Sequence, residues 1–536
     1  MLDHNILKQD FKNLQQLQKV HIIGIGGCAS SAVAQFLTIQ GIKVTGSDLF
    51  EKQEIQKLRS KGITVNVPHN AGNLKNPDLV LYSPAIVYAD RKNPELQKAE
   101  ELKIPAMSWE EFIGHYFQSK NMQGIIACGS EGKGSVCGIL TCLLQGTDFD
   151  PMAILGADFK SQPAGDRHLP LLTQKEQTRN YYLGKSQTFI LEGDEYNRNF
   201  HHYQARYAIF TNIEYEHPET YASYKEYKDA FFEFIKQMQK PGELIFRATK
   251  NNLQFVLEYE LKNPITFYGN ISELRLFTEY NELKYCHDYY LIDNVKVNPT
   301  GTGWDLYNLE KSENTLDTLS QTTQEQCLSL YKNQQPHTYF IPILPAYNAH
   351  NATAAIIMAI KLRLPNHIIK KNLGCFRGMV RRFDVHPTEK GGVVITDYGH
   401  SPRAVQTVLT ETKKIWPQKK LHILFQPHMY SRTLEFLDEF AACMDQADVI
   451  ILTDIYPSRE HGTDKKNLVH TRDLYNKMQQ REIIKNKKKS LIYLENKKNN
   501  ILDYALEQFN SSEILILQGA GDMNQFFSRI ITTLCS

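Results

Sequence analysis

Nowhere in the 536 residues does an uninterrupted apolar run reach the roughly 18 residues that a membrane-crossing helix needs, so no helical span is expected. The leading stretch, Met1 to Lys19, is polar and Gln-rich and lacks the apolar centre of a secretory signal, so a cytoplasmic protein is expected. Nine cysteines are scattered along the chain, with no C-x-x-C pair and no His at zinc-ligand spacing. A disulfide framework and a zinc ribbon are thereby excluded, and free thiols, mostly in the core, are expected. Charge of one sign is missing too: 61 Lys and Arg stand against 59 Asp and Glu. No global field exists to hold a nucleic acid or an anionic membrane, so partners must be recognised locally. The basic stretch Lys485 to Lys489 and the pair Lys497 and Lys498 read as a solvated face.

What is present is the composition of a folded chain, 42% hydrophobic and 22% charged. At about 150 residues per domain, its length suggests roughly three to four domains. Short apolar runs at Val20 to Ile25, Val44 to Ser47, Val65 and Leu79 to Tyr82 alternate with amphipathic stretches, the pattern of βαβ units around a parallel sheet. A second such series starts at Gly124 to Cys128 and continues through Thr188 to Leu191, Tyr207 to Thr211 and Glu243 to Phe246. From Pro264 to Pro342 the pattern shortens and alternates, as at Tyr285 to Val295, and predicts antiparallel β structure interrupted by polar stretches such as Ser320 to Gln326. A third series runs through Val393 to Thr396, Leu421 to Phe425, Val449 to Thr453 and Ile514 to Leu517. The fold class is α/β, with three consecutive α/β domains.

Two glycine turns carry the chemistry. Ile125 to Cys128 is an apolar strand that runs into Gly129-Ser130-Glu131-Gly132-Lys133-Gly134-Ser135 and then into a helical run, Val136 to Leu144. Backbone amides in such a loop, with the positive end of the following helix, cradle phosphate, and a lysine at this place reaches the outer phosphate oxygens. The hydroxyl residue that usually follows the lysine and ligates magnesium is Gly134, with Ser135 one place later. The other turn, Gly24-Ile25-Gly26-Gly27, is followed by a helix and by Ser47 and Asp48, which fits a dinucleotide-type turn with an acid about 20 residues on, placed for a ribose hydroxyl. Taken alone it suggests an NAD enzyme, but hydride transfer needs no second, phosphate-activating loop.

Together with Glu192-Gly193-Asp194-Glu195-Tyr196, Thr211 to Glu214 with His217, Asn348 to Ala352, Arg381-Arg382-Phe383, Asp397 to His400, His428 to Arg432 and Gln518 to Asp522, these turns resemble the Mur ligases over nearly the whole chain. The resemblance is to the branch that adds L-alanine or a short peptide to UDP-N-acetylmuramate. It implies a Rossmann-like UDP-sugar domain over residues 1–118, a P-loop ATPase-like central domain over 119–376 and a Rossmann-like domain for the incoming amine over 377–536. It also implies ATP and Mg2+ as cofactors and amide formation through an acyl phosphate. Lys133, Glu192 and His217 would be catalytic, with Ser135, Glu192 and His217 holding the metal. Gly129, Ser130, Gly132, Lys133, Gly134, Ser135, Asn348, Asn351, Arg382 and Asp397 would bind nucleotide. Gly24, Gly26, Gly27, Ser47, Asp48, Ser83, Tyr398, His400 and Arg432 would bind the sugar and amine substrates, Arg432 by a two-point clamp on a carboxylate.

Features of two branches are mixed. Glu192 to Tyr196 and His400-Ser401-Pro402 look like a tripeptide ligase of murein recycling; Tyr430-Ser431-Arg432, Asp454 to Pro457 and Gly519 to Asp522 look like the alanine-adding enzyme, although one arginine of that motif is Met429 here. The last domain meets the incoming substrate, so alanine addition leads. A Mur-like protein that binds nucleotide or UDP-sugar without ligation is the rival that Gly134, Glu131 and Met429 motivate. A monomer or a homodimer is expected.

Overall fold

The computed structural model describes residues 17–89, 92–160, 180–218, 220–279, 286–310, 334–460, 464–481, 489–494, 503, 509–521 and 524–535. The stretches Ser320 to Gln326, Lys485 to Lys488 and Lys497 to Lys498, and Asp522, lie outside them. The chain divides into two compact units, Met1–Met379 and Val380–Ser536.

The first unit holds two sheets. In the leading one, β1 (Lys19–Ile23), β2 (Lys43–Ser47), β3 (Thr64–Asn66), β4 (Leu79–Tyr82) and β5 (Ala106–Ser108) are all parallel, in the order β3-β2-β1-β4-β5. The order reverses at β1, and the crevice outside the carboxyl ends of strands at such a switch point is where α/β sheets bind ligands. Gly24 to Gly27 leave β1 at that point and feed the helix Cys28–Ile39.

The second sheet has ten strands: β6 (Gln123–Cys128), β7 (Met152–Ile154), β8 (Tyr181–Leu183), β9 (Thr188–Gly193), β10 (Ala205–Phe210), β11 (Glu243–Arg247), β12 (Ile265–Asn270), β13 (Cys286–Asn298), β14 (Gly301–Glu310) and β15 (His337–Ile341). Their order is β15-β14-β13-β12-β11-β10-β6-β9-β7-β8. The antiparallel part is shorter than the sequence pattern suggests. β12 pairs parallel with β11 and β13 parallel with β12; only β14 and β15 on that side run antiparallel. β12, Ile265-Thr266-Phe267-Tyr268-Gly269-Asn270, is buried on both faces except at its last residue, as a strand inside a parallel sheet is.

At the middle of this sheet β6 is flanked by β10 and β9, and the helix that follows it, Lys133–Leu144, is buried from Gly134 to its end. It packs on the helix Asn348–Lys361, whose Ala349, Ala352, Ala354, Ala355 and Ala359 are fully buried. Small side chains let two helices lie close, and a methyl at Gly138 would run into the Met379 sulfur at 2.5 Å. The two sheets of this unit share one apolar core, in which Phe117 stacks on Phe189 with ring centroids 4.0 Å apart.

The second unit has β16 (Asp384–Pro387), β17 (Val393–Asp397), β18 (Leu421–Phe425), β19 (Val449–Thr453), β20 (Ser490–Leu494) and β21 (Ile514–Gln518), ordered β16-β17-β21-β18-β19-β20 and parallel apart from β16. Its core strands β17, β18, β19 and β21 are buried throughout. No described helix is long and apolar enough to cross a membrane.

Candidate active site

The loop after β6 has its shape because two glycines accept what other residues resist. Gly129 has φ +123° and Gly132 φ +85°; a Cβ on the first would lie 2.4 Å from Thr211 Oγ1, and on the second 2.8 Å from Asn351 Oδ1. The segment after β10 braces the loop from below. Ser130 N donates to Asn212 O (3.1 Å), Glu131 N to Asn212 Oδ1 (3.1 Å) and Thr211 Oγ1 to Glu131 O (2.5 Å). Ser130 Oγ donates to Glu214 O at 2.8 Å and accepts from Glu214 N at 3.1 Å, so this hydroxyl holds the loop. Asn351, expected at adenine, touches the loop at Gly132 and donates to Asn348 Oδ1 at 3.3 Å, while Asn348 Nδ2 donates to Leu344 O at 2.7 Å.

Lys133 opens the following helix. Its Nζ donates to Gly129 O at 2.6 Å and to Glu195 Oε2 at 2.8 Å. Burial disfavours its charge, but the carboxylates of Glu195, Glu216 and Asp194 outweigh that, and its pKa is raised. The lysine is therefore a fixed cation at the mouth of the phosphate loop. Glu195 is fully buried. Its other oxygen, Oε1, has no hydrogen-bond partner and lies 3.8 Å from His217 Nε2. His217 has φ +56°, a conformation that a non-glycine side chain rarely adopts and that clusters at functional sites.

Among the described residues Glu195, Glu216 and His217 each bring a ligand atom within 4.8 Å of the others. Two carboxylates, one of them with a buried oxygen that takes no hydrogen bond, and an imidazole suit a divalent cation. Of the expected trio of Ser135, Glu192 and His217, His217 alone belongs to this grouping. Glu192 ends β9 one strand over, where its Oε1 accepts from Gly156 N at 2.6 Å and where a Cβ on Gly134 would lie 3.2 Å away. It stands beside Gly134, and Ser135 is buried in the first helical turn. Sequence reasoning quoted Glu195 inside a motif and passed over Glu216 beside His217. The signal was the carboxylate count around a lysine; which carboxylate turns inward was set by the tight bend Tyr196–His202, where Asn197 and Arg198 have φ of 51° and 58°.

The first turn is built differently. Gly24 N donates to Ser47 O at 2.8 Å, and Gly26 N to Asp48 Oδ2 at 2.9 Å. Asp48 also accepts from Leu49 N at 2.8 Å and Lys52 Nζ at 2.9 Å. Ser47 is fully buried; its hydroxyl donates to Glu95 Oε2 at 2.5 Å and meets His69 Nδ1 at 2.8 Å. Of these two residues, expected to touch substrate, Asp48 gives its carboxylate to the turn, while Ser47 gives the turn its carbonyl and gives its hydroxyl to Glu95 and His69. Ser83 sits opposite Gly24, its N donating to Ile23 O. Glu95 completes the network with His21, Asn70 and Asn73. Burial opposes its ionisation, yet the hydrogen bonds from His21, Ser47, Asn70 and Asn73 together hold its carboxyl below the usual range.

In the second unit Asp397 likewise serves the backbone, accepting from Phe383 N (2.9 Å) and Gly399 N (2.7 Å). That fastens the turn bearing Arg381 and Arg382, whose guanidinium carbons lie 4.9 and 5.4 Å from the Tyr398 ring. His400 and His428 have ring centroids 4.9 Å apart, and buried Arg432 puts Nη1 3.3 Å from His428 Nδ1. Glu460 holds Tyr430 N, Ser431 N and Ser431 Oγ. Met429, buried, has φ +69°. Tyr398, His400 and Arg432 thus gather in one unit, with His428 and Glu460 added by the structure.

Three family models match in succession: Mur ligase family, catalytic domain, over residues 19–121; Mur ligase middle domain over 128–359; and Mur ligase, glutamate ligase domain, over 381–521. The chain is similar to the UDP-N-acetylmuramate--L-alanine ligase of Clostridium novyi (strain NT), 29% identical over 522 residues that span 97% of this chain and 98% of the relative. The protein of that name from Psychrobacter arcticus is 26% identical over 524 residues, 96% of this chain and 95% of the relative. In fold it is similar to the UDP-N-acetylmuramate-alanine ligase of Thermotoga maritima, with TM-score 0.71, 21% identity and coverage of 96% and 98%. It is also similar to a murein peptide ligase from Psychrobacter arcticus, with TM-score 0.66, 18% identity and coverage of 97% and 99%.

Proposed function

This chain belongs to the Mur ligase family, and on that premise we propose that it is an ATP-dependent ligase joining L-alanine to the lactyl carboxylate of UDP-N-acetylmuramate. The observation that carries the proposal is the charged core of the loop after β6. Lys133, fixed at the first turn of a buried helix, stands beside Glu195, Glu216 and His217. A carboxylate does not react with an amine in water, because its leaving group is too poor. In the proposed reaction the carboxylate oxygen attacks the γ-phosphorus of ATP and ADP leaves; the amine nitrogen then attacks the acyl phosphate and inorganic phosphate leaves.

Each residue has a task in that scheme. The amides around Gly129 to Gly132 and the Lys133 ammonium hold the triphosphate and offset the charge that crowds as the carboxylate approaches. A divalent cation, when bound by Glu195, Glu216 and His217, supplies further neutralisation. Asn351, at the edge of the loop, and Asn348 are proposed for the adenine, and Arg382 for nucleotide phosphate. Gly24 to Gly27 and Ser83 are proposed for the UDP-sugar, with Ser47 and Asp48 shaping that turn. Arg432, with His428, His400 and Tyr398 around it, is proposed to hold the carboxylate of the incoming amine.

Every relative compared by sequence above bears the name of an alanine-adding enzyme. A second reading, addition of a short peptide, is favoured by Glu192 to Tyr196 and His400-Ser401-Pro402, which look like the tripeptide ligase. Phosphate release from ATP, magnesium and UDP-N-acetylmuramate separates them. Release with L-alanine alone supports the first reading, release with the tripeptide alone the second. Silence with both leaves a nucleotide-binding protein without ligase activity.

A further inference from the structure

The Glu195 carboxylate is asked to serve two positive charges. Oε2 accepts from Lys133 Nζ at 2.8 Å; Oε1 is buried, accepts no hydrogen bond and lies 3.8 Å from His217 Nε2, where Glu216 also converges. The backbone beneath it cannot yield. Its carbonyl accepts from the buried Tyr221 hydroxyl and from Arg198 N at 2.9 Å. Only the side chain is free to answer a change in charge, and it lies in a setting where like charges repel strongly because water is excluded.

We infer that Glu195 is an exchange residue: Lys133 and a divalent cation compete for its carboxylate, so that loading the metal releases the lysine toward the incoming triphosphate. The inference rests on the reading of Lys133 as the phosphate-binding lysine and adds an order to it. With no nucleotide present, the Lys133 ammonium satisfies Glu195 and weakens the cation site. When a triphosphate draws the ammonium away, both carboxylate oxygens turn to the cation. Metal and nucleotide then strengthen each other's binding, and the coupling is reciprocal by linkage. The resting pair also keeps the loop lysine from standing as an uncompensated buried charge.

The probe is Mn2+ alone, titrated at pH 8 and followed by its electron paramagnetic resonance signal, with no nucleotide, sugar or amine present. The full-length protein should bind Mn2+ weakly. Lys133→Met should bind it about tenfold or more tightly, because the competing cation is gone. Glu195→Gln should bind it more weakly than the unaltered chain, and the double variant Lys133→Met, Glu195→Gln should lose the gain. Glu195→Asp in the Lys133→Met background should recover part of it. Equal Mn2+ affinity with and without Lys133, or a gain that survives Glu195→Gln, overturns the inference. Should Lys133→Met fail to give a native circular dichroism spectrum, Lys133→Gln is read in its place. Since no ligase substrate is present, failure of the exchange leaves the ligase reading to the phosphate-release assay.

Discussion

The two glycine turns of the first unit start alike and end differently. Each follows a parallel strand and opens a helix, at β1 into Cys28–Ile39 and at β6 into Lys133–Leu144. Around the first, polar groups are paired inward: Ser47 and Asp48 hold the turn, and Glu95 takes hydrogen bonds from four residues. Around the second, a lysine is tied to a carboxylate whose other oxygen is left buried and unpartnered. The first carboxylate is fully paired, although His69 Nε2 beside it takes no hydrogen bond, whereas the second keeps one oxygen open next to a cation. The same local motif therefore yields a scaffold in one place and a reactive centre in the other.

The largest expected effect breaks the second turn. Lys133→Ala should lower turnover at least about a thousandfold while the KM for UDP-N-acetylmuramate stays within a few-fold, measured by phosphate release. Equal damage to both constants would mean that the two turns do not have separate tasks. Next comes Gly129→Ala. Its Cβ would meet Thr211 Oγ1 at 2.4 Å at a positive φ, so a loss of roughly 1–3 kcal/mol in stability is expected by thermal unfolding, with activity falling as the loop shifts.

The first turn should respond the other way. Glu95→Gln should cost roughly 1–3 kcal/mol of stability and leave kcat within about threefold. Its pH dependence follows from the lowered carboxyl: the charged form's stabilisation is present above the unfolded value near 4.3 and is lost as pH falls through the folded value. The stability gap between the native chain and Glu95→Gln should accordingly narrow only below about pH 4, and a gap unchanged there would deny the ionised network. The smallest effect is expected of Gly134→Ser. A hydroxyl there would stand near Glu192, which is not in the Glu195, Glu216 and His217 cluster, so the magnesium concentration for half-maximal rate should stay within about twofold. A larger fall would bring Glu192 into the metal site.

Much of this was legible without coordinates. The strand runs of all three sheets and both glycine turns are local patterns, and apolar periodicity and glycine spacing report local geometry directly. Less legible was the partner of Lys133. Glu192 and Glu195 are three residues apart; Glu192 stays on β9 and receives the Gly156 amide, whereas Glu195 is carried round the bend at Asn197 and Arg198 to the lysine. Ser47 and Asp48 occupy the expected motif positions, but nothing local announces that Glu95 and His69 claim the serine hydroxyl.

Residue order alone settled the α/β class and the place of both glycine turns, because each depends on neighbours within a few residues. Tertiary structure decided which carboxylate answers Lys133, which of its oxygens is left without a hydrogen bond and which polar residues are consumed by the scaffold. Those outcomes depend on strands and bends that meet across long separations, where burial makes every unpaired polar atom costly.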